Sequence, residues 1–124
     1  FSLAGCATMH ALSFPLGANC QLAHGEAVYA VFAQTLQYYQ KKHISLCKLE
    51  NVLKDRPEGP CSISELKELL SEIYPCPDFK ALGINEGICD TWAVSVYEKQ
   101  QRLLANSPCV LSSGDLAAIY KSCI

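Results

Sequence analysis

Apolar residues recur at three- and four-residue intervals along most of this chain, and no stretch alternates apolar and polar positions for long enough to predict a strand. The clearest segment runs from Glu26 to His43. There Val28, Val31, Phe32, Thr35, Leu36 and Tyr39 fall on one helical face, and Lys41, Lys42 and His43 crowd the last turn, where cations suit the helix dipole. Ahead of it, a helix from about Ser2 to Ser13 carries Ala4, Gly5, Ala7 and Ala11, small enough to let another backbone approach. Pro15 is expected to stop that helix near Phe14, because the residue before a proline avoids helical geometry.

Leu46, Leu49, Val52 and Leu53 predict a short third helix, ended by the Arg-Pro-Glu-Gly-Pro run that starts at Arg56. Ser62 and Glu65 form a capping-box pattern ahead of Ile63, Leu66, Leu69, Leu70 and Ile73, which predicts a fourth helix ending before Pro75. The stretch from Tyr74 to Gly83 reads as irregular. From about Glu86 to Leu104 a fifth helix presents Cys89, Trp92, Ala93, Val96 and Leu103 on one side, and Asn106 with Pro108 closes it. A last helix, from about Asp115 to Lys121, follows a Ser-Ser-Gly-Asp cap. With no internal repeat or low-complexity tract, the pattern predicts a single all-α domain over residues 1–124.

Composition narrows the class. At 124 residues the chain can bury a core without cross-links, and its formal charge of −2 excludes the basic footprint of a nucleic-acid binder. No apolar run approaches the roughly 20 residues that span a bilayer, so no membrane partner is expected. The opening lacks the positive flank of a signal peptide, and it starts in helical pattern without a capping residue, as if an element had been cut. Eight cysteines are spread almost evenly with no Cys-x-x-Cys pair. They are expected to be reduced and mostly buried thiols of a cytoplasmic protein, rather than the disulfide framework of a secreted one.

Candidate chemistry lies in His10-Ala-Leu-Ser-Phe-Pro-Leu-Gly and the residues that follow it. Two of the three histidines, His10 and His24, stand on either side of a Pro-Leu-Gly segment read as a turn, His10 in the last turn of the first helix and His24 just before the second. An imidazole beside a helix N-terminus feels the positive end of the dipole, which disfavours protonation and keeps a ring nitrogen free for a metal. Two readings stand on these residues alone: a pair of metal ligands, or structural histidines in a non-enzymatic helical interaction domain. His43 reads as an exposed capping cation, Trp92 and the Tyr38-Tyr39 pair as packing residues, and Lys121 has no evident partner.

The segment from His10 to Ala27 resembles the metal-binding signature of the iron-containing alcohol dehydrogenase family, in which H-A and L-G elements precede an H-G fourteen residues after the first histidine. The segment from Leu82 to Tyr120, with its Leu-Leu-Ala-Asn-x-Pro and Asp-x-x-x-Ile-Tyr elements, resembles the closing region of the same family. The resemblance implies the helical C-terminal domain of a two-domain, dehydroquinate synthase-like dehydrogenase. It makes His10 and His24 ligands of a divalent metal, Fe2+ or Zn2+, with NAD held mainly by an N-terminal domain that these residues do not include. Family members have two further ligands in an Asp-x-x-x-His pattern, and no aspartate here has a histidine four residues later. The chain is therefore expected to be the C-terminal fragment of a longer enzyme and inactive by itself. Details such as His24-Gly-Glu-Ala resemble the branch of the family that interconverts 4-hydroxybutyrate and succinate semialdehyde. The implied partners are small-molecule hydroxy acids or aldehydes, with self-association left open. Many relatives carry a third histidine where this chain has Phe14, which becomes a residue of the substrate pocket, while no catalytic proton donor is assigned.

Overall fold

The computed structural model describes residues 6–55, 58–60 and 62–124, and the described residues form seven helices and no strand. They are α1 (Cys6–Cys20), α2 (His24–Lys41), α3 (Cys47–Lys54), α4 (Ile63–Ile73), α5 (Glu86–Lys99), α6 (Gln101–Leu104) and α7 (Ser113–Lys121), as the all-α expectation required. The expected start of the first helix at Ser2, with Ala4 and Gly5, lies outside the described residues, as do Arg56, Pro57, Cys61 and the side chains of Cys6 and Ala7.

Proline does not stop α1. The helix runs on through Pro15 to Cys20, so the Pro-Leu-Gly segment lies inside a helix and is not a turn. An interior proline forfeits one backbone hydrogen bond and crowds the carbonyl one turn back, at about 3 kcal/mol. Against this, Leu12 and Leu16 are fully buried on the inner face, and each such side chain contributes roughly 1.5–3 kcal/mol. The burial outweighs the penalty. Side chains also serve the backbone here: the Ser13 hydroxyl donates to the His10 carbonyl at 2.7 Å, and the Asn19 amide donates to the Pro15 carbonyl at 2.8 Å.

The reversal comes later, at Gln21 to Ala23. Gln21 adopts a left-handed φ of 56°, and the chain then doubles back so that a Cβ on Gly17 would lie 3.7 Å from the Leu22 carbonyl oxygen. At its far end α2 stops at Lys41, and His43 is the left-handed residue that terminates it, with φ 58°. The His43 N–H donates to the Gln40 carbonyl and the Ile44 N–H to the Tyr39 carbonyl, both at 3.0 Å, which is the Schellman arrangement. His43 is thus exposed as expected, but its backbone, rather than its charge, ends the helix.

The fifth helix is interrupted where the sequence suggested continuity to Leu104. Gln100 closes α5 and opens α6 with φ −114° and ψ 27°, a redirection that carries α6 onto α1 and buries Leu104. Ser62 caps α4 as its pattern predicted, accepting from the Glu65 N–H at 3.2 Å. The two main helix pairs are α1 with α2 and α5 with α7, joined by contacts of α1 with α5 and α6 and of α2 with α7. Tyr39 and Tyr120 are the largest fully buried side chains, and both keep their hydroxyls bonded. The Tyr120 hydroxyl donates to the Leu12 carbonyl and the Tyr39 hydroxyl to Thr8 Oγ1, each at 2.6 Å, while Thr8 and Ser107 hydroxyls lie 2.5 Å apart. Trp92 packs edge-on against Tyr120, with ring centroids 5.9 Å apart.

Cys20, Cys47, Cys76, Cys89, Cys109 and Cys123 are free thiols, though of these only Cys89 is fully buried, against the expectation that most would be. Lys121 does have a partner, Asp90 at 2.7 Å, in a solvated pair worth at most about 1 kcal/mol. None of the described helices is long and apolar enough to cross a membrane.

Asp115 ties α7 to α2. Its carboxylate accepts from the Ser112 N–H at 2.7 Å and from Tyr38, and lies 3.5 Å from the Lys42 ammonium. Burial alone would raise its pKa, but Tyr38, both donors of Ser112 and Lys42 together hold it down at about 2. A depressed carboxylate contributes stability that is complete above its unfolded pKa and lost as pH falls through the folded value. Thermal unfolding monitored by circular dichroism is therefore expected to weaken between about pH 4 and pH 2, and Asp115→Asn to remove much of that acid dependence. At neutral pH the same variant should lose on the order of 1–2 kcal/mol. At the other end of α2, His43→Gly should raise the urea midpoint by an amount equivalent to roughly 0.5–1 kcal/mol, because glycine reaches positive φ without the Cβ penalty.

Candidate metal-binding histidine pair

His10 projects from the middle of α1, and His24 is the first residue of α2. The doubled-back link brings α2 to start alongside α1, and the two imidazoles meet with ring centroids 5.1 Å apart and planes inclined by 50°. His10 is half-buried and His24 exposed, so the pair sits at the protein surface with one side open.

The start of α2 has an unusual cap. Ala23 occupies the N-cap position and has no side-chain oxygen to offer, so Glu26 takes over: its carboxylate accepts from the Ala23 N–H at 3.0 Å and from the Tyr74 hydroxyl at 2.5 Å. Tyr74 and the Ala23 N–H keep the Glu26 carboxyl below its usual range, and the Tyr29 hydroxyl donates to the Tyr74 carbonyl at 3.0 Å. These bonds anchor the first turn of α2, and with it the backbone that carries His24. From the sequence Glu26 is legible only as the start of the second helix and as part of the His24-Gly-Glu-Ala motif. The available signal was a glutamate three residues after an N-cap position, and nothing in the chain order announced Tyr74, which comes from beyond α4.

Two neighbouring imidazoles are the nitrogen donors that Fe2+ and Zn2+ accept, so the donor chemistry fits a divalent ion. A protein site for such an ion ordinarily has three or four side-chain ligands. Among the described residues no group of three or more histidine, cysteine or carboxylate side chains is placed to hold a metal. The described residues bring the two imidazoles together and place no third ligand beside them.

Phe14 lies one turn beyond His10 on the same stripe of α1 and is 53% exposed. It forms one wall of a groove of about 270 Å³ between α1 and α5, where Pro15 is joined by Trp92, Ser95, Lys99 and Gln100.

The family model described as "Fe-containing alcohol dehydrogenase family, C-terminal" matches residues 1–124. This chain belongs to that family. Among curated proteins it is 37% identical over 128 residues to 4-hydroxybutyrate dehydrogenase of Clostridium kluyveri, a match that covers 98% of this chain and 34% of the relative. It is 26% identical over 130 residues to long-chain-alcohol dehydrogenase 1 of Geobacillus thermodenitrificans, with 98% of this chain and 33% of the relative covered. The chain therefore spans about a third of the length of these relatives. No solved structure is a significant match. The all-helical architecture accords with the C-terminal, helical part of an iron-type alcohol dehydrogenase, and the enzymes of these names act on small-molecule alcohols.

Because neither imidazole is fully buried, replacing them removes little apolar contact. His10→Ala and His24→Ala are each expected to leave helical content unchanged and to shift unfolding free energy by less than about 1 kcal/mol, measured by urea titration. A loss of several kcal/mol in either variant would mark that histidine as a structural one.

Proposed function

We propose that this chain is the helical, metal-binding part of an NAD-dependent alcohol dehydrogenase that interconverts 4-hydroxybutyrate and succinate semialdehyde. His10 and His24 are two of the ligands of its divalent ion, Fe2+ or Zn2+, and the remaining ligands and most of the NAD site belong to an N-terminal domain. The observation that carries this reading is the 5.1 Å approach of two imidazoles from separate helices, in a family described as iron-containing. The substrate follows the more similar of the two named relatives.

When bound, the ion would supply Lewis acidity toward the alcohol oxygen, with NAD as hydride acceptor. His10 contributes a donor from the middle of a packed helix, whose backbone cannot drift. His24 contributes one from the first residue of α2, whose first turn is anchored by Glu26 and Tyr74. Phe14, one turn from His10, presents an apolar wall that keeps water from the reacting centre.

Two measurements test the assignment. Calorimetry with Zn2+ and anaerobic Fe2+ on the 124-residue chain is expected to give weak, one-to-one binding that either His10→Ala or His24→Ala abolishes. In the enzyme with both domains, each substitution should lower turnover on the order of 100-fold or more and reduce bound metal. Near-normal activity with stoichiometric metal in either variant would overturn the ligand assignment and return the pair to a structural role.

A further inference from the structure

The groove between α1 and α5 carries a charge that the fold itself does not use. Lys42 is paired with Asp115 and Lys121 with Asp90, but the exposed Lys99 ammonium, on the groove wall, has no hydrogen bond or ion pair with any described residue. Among the described residues no carboxylate lines this groove; its other polar groups include the Ser95 hydroxyl and the Gln100 amide. Phe14, Pro15 and Trp92 provide apolar walls. One cation, neutral hydrogen-bonding groups and aromatic sides form a receptor for a short chain that ends in an anion. The volume, about 270 Å³, lies below the roughly 300–1,000 Å³ of sites for drug-sized ligands, which suits an occupant of a few carbons.

Direction along the groove matters as well. The chain runs from Lys99 through α6 to Ser107, whose hydroxyl meets Thr8 on α1, two residues from His10. The Lys99 end of α5 is therefore the end nearer the histidine pair, and Phe14 lies between them on the surface of α1. A lysine in the last turn of α5 also suits the helix dipole, but the dipole would be served equally by a lysine on any face of that turn.

We propose that Lys99 is the specificity-determining cation that holds the carboxylate of a short ω-hydroxy acid, whose chain lies along Phe14 with its hydroxyl end toward His10 and His24. This rests on the dehydrogenase reading for the hydroxyl end and on the groove alone for the carboxylate end. The selectivity is for a carboxylate over an uncharged terminus: an alcohol of equal length leaves the ammonium without its partner and forfeits a charge-assisted bond.

Trp92 is the single tryptophan of the chain and a wall of the groove, so its fluorescence reads occupancy directly. The 124-residue chain is titrated, in EDTA and at matched ionic strength, with 4-hydroxybutyrate, 1,4-butanediol and sodium chloride. A saturable change is expected with 4-hydroxybutyrate at millimolar concentration and not with the diol or the salt. Lys99→Met should weaken that response about tenfold or more, and Lys99→Arg should retain it, which separates loss of charge from loss of fold. No saturable response, an equal response to the diol or to chloride, or an undiminished response in Lys99→Met overturns the proposal. The titration contains no metal, so the two readings can fail separately. An intact carboxylate response with no metal binding at His10 and His24 sinks the dehydrogenase reading, and the reverse pattern sinks only the role of Lys99.

Discussion

The helix that carries His10 is held in one piece through a proline, and the rest of the structure leans on it. α2, α5 and α6 all pack against α1, and Leu12 and Leu16 lie fully buried between them. Had the chain broken at Pro15, the inner leucines Leu12 and Leu16 would belong to two elements, and the helix that carries His10 and Phe14 would lose its second half. Packing on one side of the helix thus sets the chemistry offered on the other. The buried polar contacts reinforce this: Tyr39 reaches Thr8, Thr8 reaches Ser107, and Tyr120 reaches Leu12, so α2, α7 and the segment after α6 are each pinned to the same helix.

Against that fixed helix, the second imidazole is delivered by a short link with an enforced geometry. Gln21 turns the chain with a positive φ, the Leu22 carbonyl passes beside Gly17, and α2 begins next to His10. A first turn starting at alanine would fray, and Glu26 and Tyr74 prevent this by bonding the Ala23 N–H and one another. The consequence is a donor pair whose separation is set by backbone constraints on both sides. If the pair holds an ion as proposed, it would lose little conformational freedom on binding, because the two donors are arranged beforehand.

The two ends of the proposed substrate are served differently. At the histidine end the protein offers imidazole nitrogens, at the other a cation without a counter-charge, and Phe14 lies on the wall that leads from one to the other. A hydroxyl and a carboxylate a few carbons apart are the functional groups that, on the proposed reading, such unlike partners would tell from other small molecules.

Much of this was legible from residue order. Helical periodicity gave the all-α class and the extent of α2 to within two residues, and Ser62 and Ser112 gave two of the caps, since both signals depend on neighbours three or four residues away. The spacing of His10 and His24, matched to a family signature, identified the pair that the fold brings together. What local order could not decide was whether Pro15 ends a helix, because the answer lay in burial supplied by α2, α5 and α6. Nor could it assign a partner to Lys121, foresee the redirection at Gln100, or see that His43 acts through its backbone, since each depends on where a distant segment packs. The groove is the fullest case: Phe14 and Lys99 stand 85 residues apart in the chain, and only the packing of α5 on α1 makes them walls of one site.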